Sequence, residues 1–89
     1  MDNLKLFREE MDVVNSELCE LMIKRFELLA KIMNIKNNKG LETHDPAREG
    51  QMLKQLAQQL KDSPYKQDVL NIFKDIFKHS LTYCKNQRI

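Results

Sequence analysis

Glycine and proline are scarce in this chain, two of each in 89 residues. So little turn material disfavours a β-rich fold, which needs breakers at its many turns. Cysteine is equally sparse, and Cys19 and Cys84 stand too far apart to match a zinc or redox spacing. Free thiols and a cytoplasmic setting follow as the default. No apolar run approaches the roughly 18 residues of a membrane span. Met1-Asp2-Asn3 carries neither the charged nor the apolar region of a signal peptide, so no leader is expected. Neither sign of charge dominates, since 15 Lys+Arg face 13 Asp+Glu for a net charge of +2. That excess is too small for a general nucleic-acid or polyanion binder.

What is present reads as one soluble helical domain. Hydrophobic residues make up 42% and charged residues 31%, ordinary values that argue against disorder. The first helix is expected from about Asn3 to Asn38, with Asp2 or Asn3 as its cap. Gly40 can take the left-handed conformation that stops it. After the loop Leu41 to His44, Asp45-Pro46 reads as an N-cap with proline in the first helical position. The second helix then runs to about Lys61. Ser63-Pro64 repeats the signal, and the third helix is expected from about Pro64 or Tyr65 to Asn86. The fold class is all-α, three helices with a long first one.

The first helix carries the most informative pattern. Leu4, Met11, Leu18, Arg25 and Ile32 form one heptad row, and Phe7, Val14, Leu21, Leu28 and Ile35 form the other. All are apolar except Arg25, and a period of about 3.5 residues is that of a helix packed along a partner. About 34 helical residues span roughly 50 Å, whereas a compact globule of this size is only some 30 Å across. Two shorter helices cannot cover that seam. The expectation is an intertwined homodimer whose first helices pair about a two-fold axis.

Charges on the apolar faces mark candidate sites. Arg25 inside the seam must find a partner, because desolvating an unpaired charge costs several kcal/mol. A register-fixing role opposite a carboxylate is one reading of it. Arg8 and Lys36 flank the same seam and, taken singly, read as snorkelling surface cations. They lie roughly 42 Å apart along one helix, so one chain cannot bring them together. An antiparallel crossing near residues 19–22 would carry Arg8 of one subunit towards Arg25 and Lys36 of the other. Two cationic pockets, each built from both chains, would result.

The second helix has the stripe Met52, Leu53, Leu56, Ala57 and Leu60, with Glu49 on it rather than opposite. Glu49 is either a site residue or a first-turn carboxylate complementing the helix dipole. In the third helix Ser80 and Cys84 share the inward stripe of Leu70, Phe73 and Phe77. An inward Ser commonly bonds a backbone carbonyl, and an inward Cys commonly behaves as a small hydrophobe. His44 and His79 share no ligand spacing with each other or with the cysteines, so no metal is expected. No nucleophilic triad, phosphate loop or paired-carboxylate motif is present. The basic stretch from Lys31 to Lys39 holds no aromatic and reads as a helix end complementing its dipole.

From Leu6 to Cys84 the chain resembles the all-helical chorismate mutases. The likeness rests on Leu6-Phe7-Arg8-Glu9-Glu10-Met11-Asp12, then Arg25 and Lys36, then Asp45-Pro46-Ala47-Arg48-Glu49, then Ile76-Phe77-Lys78-His79-Ser80. No piece is specific alone, but their order and spacing together are. The resemblance implies one domain over residues 1–89, an intertwined dimer, and rearrangement of chorismate to prephenate in aromatic amino-acid biosynthesis. It implies that Arg25 and Arg8 of the other subunit clamp the substrate carboxylates. Lys36 would reach the ether oxygen of the breaking bond and a carboxylate. Arg48 would support the anion site, Asp45 would lie near the ring, and Glu49 would bind the ring hydroxyl with Ser80 beside it. The family usually places Gln or Glu four residues after that Ser, as a second donor to the ether oxygen. Here Cys84 stands there, with Gln87 one turn on as the rival donor.

The chemistry agrees with the residues. A pericyclic rearrangement needs no nucleophile, metal or cofactor. It needs a dianion held in its compact conformer and fixed positive charge at the ether oxygen. Planar arginine forks suit carboxylates, and a lysine suits a single oxygen. Two alternatives stand beside it: a non-catalytic regulatory or interaction module, which Cys84 favours, and an isochorismate-pyruvate lyase using the same kind of pocket. The chain starts at Met1 and ends soon after the third helix, so it is expected to be free-standing. A complex with another aromatic-pathway enzyme is open.

Overall fold

The computed structural model describes residues 3–88. Among them are three helices and no strand: α1 (Leu4–Lys39), α2 (Pro46–Leu60) and α3 (Lys66–Asn86). The all-helical expectation holds. Gly40 ends α1 at φ 65°, and the α1 carbonyls left open are taken by Gly40 N–H to Asn37 O and Leu41 N–H to Lys36 O. This left-handed stop is one that glycine adopts without steric cost. At the start of α2, the Asp45 carboxylate accepts from the Arg48 N–H at 3.0 Å, with Pro46 behind it in the first turn.

Two capping expectations need correction. Asp2 lies outside the described residues, and Asn3 is the cap of α1 by position only. Its backbone is already helical (φ −84°, ψ −2°), and its side chain makes no capping bond. An effective side-chain cap uses an extended backbone, which aims the side-chain oxygen at the next amides. Ser63-Pro64 opens a turn rather than the helix. Ser63 Oγ accepts from Tyr65 N–H and Ser63 O from Lys66 N–H, so α3 begins at Lys66. The other boundaries move by one residue: α1 runs to Lys39, and α2 stops at Leu60 because Lys61 turns to φ 52°.

α3 packs against both α1 and α2. Its stripe behaves as its spacing requires, with Phe77, Ser80 and Cys84 buried and Leu70 and Phe73 half-buried. Phe73 and Phe77 lie 6.1 Å apart, and Tyr83 meets Phe26 of α1 edge-on at 5.3 Å. Met33 completes the small core at 1% exposure.

Apart from Arg25, the surface of α1 that meets α3 is not the heptad seam. Met22, Leu29 and Met33 turn away from solvent, whereas Phe7, Met11 and Leu21 remain 61%, 59% and 61% exposed. Leu4, Val14, Leu18, Leu28, Ile32 and Ile35 are exposed as well. The chain is accordingly elongated, 60 × 26 × 16 Å with a radius of gyration of 16.6 Å, against about 12 Å for a compact chain of its length. A row of large apolar side chains in water is the surface a partner helix would bury.

Candidate active site

One cavity of about 270 Å³ opens where the C-terminal half of α1, the 41–45 loop, the start of α2 and the end of α3 meet. Its walls are contributed by Arg25 and Lys36 of α1, Asp45, Arg48 and Glu49 at the head of α2, and Ser80 and Cys84 of α3. Leu28, Leu29, Ile32, Met52, Phe77 and Leu81 supply the apolar remainder. Seven of the eight candidate site residues are thus brought together. The eighth, Arg8, is exposed on the bare part of α1 and is not among the lining residues. It lies roughly 25 Å along the helix from Arg25.

Arg25 is half-buried, and among the described residues no carboxylate pairs with it. A register-fixing carboxylate is therefore not found among the described residues of this chain. Instead its Nη1 donates to Ser80 Oγ, and its guanidinium lies 5.5 Å over the Phe77 ring. Cation–π contact of this kind stabilises a charge that has lost part of its water. Burial lowers the Arg25 pKa from its ordinary value, with Cys84 acting in the opposite sense. Arginine's pKa starts so high that the group stays a cation. Ser80 satisfies both readings at once: its hydroxyl donates to Ile76 O at 2.7 Å and accepts from Arg25.

Lys36 Nζ donates to the Thr43 carbonyl at 3.0 Å, which ties the end of α1 to the loop. An ammonium has three hydrogens, so two remain for a ligand. Cys84 is buried beside it. Burial pushes its thiol pKa up, while Lys36 and then Arg25 pull it down; burial dominates. The neutral thiol is therefore the form in the pocket at neutral pH. Gln87 follows the last residue of α3, exposed, its backbone carbonyl accepting from Asn37 Nδ2 at 3.0 Å. It does not line the cavity.

At the head of α2, Arg48 Nη1 donates to Gln51 Oε1 at 2.9 Å, and Asp45 is engaged as the cap. Glu49 Oε2 lies 2.8 Å from His44 Nε2. His44 also lines the cavity, a place that its lack of metal-ligand spacing does not reveal. The signal was present as a histidine directly before the Asp45-Pro46 cap, on the side facing the first helical turns. Among the described residues no group of His, Cys, Asp or Glu is arranged to hold a metal ion.

The description of the chorismate mutase type II family matches residues 7–85, nearly the full chain. The chain belongs to the chorismate mutase type II family. Seven of the residues that line the cavity are among the eight that the resemblance named. The chain is also similar to a T-protein of Haemophilus influenzae, 40% identical over 53 residues. The matched segment covers 60% of this chain and 14% of that relative. No described helix is long and apolar enough to cross a membrane.

Proposed function

We propose that the chain is a chorismate mutase that works as an intertwined homodimer, converting chorismate to prephenate in two pockets that each draw on both subunits. The observation that carries this reading is the convergence of Arg25, Lys36, Glu49, Ser80 and Cys84 on one cavity. Arg8 stands outside it, on an uncovered apolar seam.

The reaction moves electrons within a single molecule: one C–O bond breaks and one C–C bond forms. No proton, nucleophile or electron carrier is required. Holding the flexible dianion in its compact conformer removes part of the barrier. Arg25 is suited to this because Ser80 occupies only one of its five N–H groups, leaving a fork for a carboxylate. The partner subunit's Arg8 takes the second carboxylate. Lys36, anchored by Thr43 and with two hydrogens to spare, meets the ether oxygen as that atom gains charge. Cys84 is the second contact to the same oxygen, a weak one. Glu49 accepts from the ring hydroxyl, Asp45 lies near the ring, and Arg48 adds positive potential to the anion site. The setting is cytoplasmic aromatic amino-acid biosynthesis.

Product analysis tests the reading. Purified protein mixed with chorismate should give prephenate at a rate well above the uncatalysed one. Pyruvate release from isochorismate, without prephenate from chorismate, would replace it with a lyase. Binding of chorismate without turnover would leave a non-catalytic module.

A further inference from the structure

The head of α2 carries a polar pair where helices commonly place an apolar one. His44 immediately precedes the Asp45 cap, and Glu49 lies one turn into the helix. These are the two positions that a hydrophobic staple joins to fix how the chain enters a helix. Here they are joined by a hydrogen bond of 2.8 Å between His44 Nε2 and Glu49 Oε2. Both side chains line the cavity. A carboxylate only accepts, so the imidazole N–H is the donor. One Glu49 oxygen, Oε2, is thereby engaged, which leaves the other without a bond to His44. The neighbouring loop residue does the same for the other polar wall, since Thr43 O holds Lys36 Nζ.

We infer that His44 is a positioning residue for Glu49, setting the pocket's selectivity for a ring hydroxyl on the substrate. This rests on the chorismate mutase reading above, in which Glu49 accepts from that hydroxyl. The pair is partly exposed, His44 at 48% and Glu49 at 32%, so it adds little to stability and its effect falls on orientation.

The test compares chorismate with an analogue methylated on the ring hydroxyl. In the full-length dimer, His44→Ala should lower kcat/KM for chorismate about three- to tenfold, mainly through KM, and leave the analogue almost unaffected. His44→Gln, whose amide nitrogen reaches about as far as Nε2, should restore most of the preference. A merely structural staple would lower both substrates equally, and that result would overturn the inference, as would a failure of Gln to rescue. Wild-type protein that leaves chorismate unchanged would overturn the functional reading itself, and the positioning role with it. Should His44→Ala fold poorly, the Gln variant alone decides: retained selectivity supports the role, and lost selectivity in a well-folded protein overturns it.

Discussion

Arg25 and Ser80, 55 residues apart in the chain, meet through a hydrogen bond from the guanidinium to the hydroxyl, and Ser80 passes its own hydrogen to Ile76 O. The serine thus links a cation on α1 to the backbone of α3 and fixes the fork that faces the cavity. Ser80→Ala should leave the fold intact and lower kcat/KM roughly tenfold to a hundredfold, because the hydrogen bond lost is to a charged group. Steady-state kinetics beside a circular dichroism melt would separate the two effects. An active-site loss no larger than twofold would show that Phe77 alone holds Arg25.

Folding should depend on protein concentration. Phe7, Met11, Val14, Leu18 and Leu21 are about half exposed or more among the described residues, so association and stability should be linked. Sedimentation should find a dimer at micromolar concentration, with a melting temperature that rises on concentrating the sample. A stably folded monomer there would remove the basis for a shared pocket.

Complementation tests the partner's contribution directly. Arg8→Ala and Arg25→Ala should each be nearly inactive, since losing a charge-assisted clamp costs about 1.5–3 kcal/mol or more. Mixed and re-equilibrated, they should form heterodimers in which one pocket carries both changes and the other neither. Activity should return in proportion to the heterodimer present. Verified heterodimers without recovered activity would place Arg8 in its own subunit's site or in none.

Cys84 should limit turnover. Replacing its weak donor with an amide, Cys84→Gln, should raise kcat/KM roughly tenfold to a hundredfold, and Gln87→Ala should be nearly silent. A crippled Gln87→Ala beside an unimproved Cys84→Gln would move the donor role to Gln87.

The same thiol gives a pH signature. Burial raises its pKa in the folded state above the unfolded value of about 9.0. The folded protein therefore holds this proton more tightly, and the associated stability is full below that pH and lost as pH rises through the folded pKa. A thiolate formed there also repels the substrate carboxylates. Activity and stability of the wild type should both fall on the alkaline side, with a component missing in Cys84→Gln. Identical alkaline profiles for the two proteins would exclude the thiol as the cause.

Lys61 ends α2 at φ 52° and ψ −121°, a backbone conformation that suits glycine rather than a side chain with a Cβ. Lys61→Gly should stabilise the fold by about 1 kcal/mol, read by urea denaturation at fixed protein concentration. Kinetics should be unchanged, since Lys61 does not line the cavity.

By itself the sequence determined the three helices, because breakers are few and, among the described residues, the chain turns at Gly40, Asp45-Pro46 and the segment after Leu60. It also determined which faces are apolar, and so that Ser80, Cys84 and Glu49 look inward: these are local matters of period and spacing. Capping was less legible, since Asn3 and Ser63-Pro64 carry the right residues and only the backbone angles decide whether a side chain reaches an amide. The tertiary structure decided which face of α1 takes α3. The heptad rows are the more apolar choice, but their apolar members stay exposed; the Met22–Leu29–Met33 side packs instead, and of the two rows Arg25 bonds to α3. It also decided the partners of the polar groups. Nothing in the spacing of Arg25 and Ser80, Lys36 and Thr43, or Cys84 and the two cations joins residues on separate elements. His44 and Glu49 are close in sequence, yet their pairing depends on the entry angle of α2, which the Asp45 cap and the packing of α2 on α3 fix together.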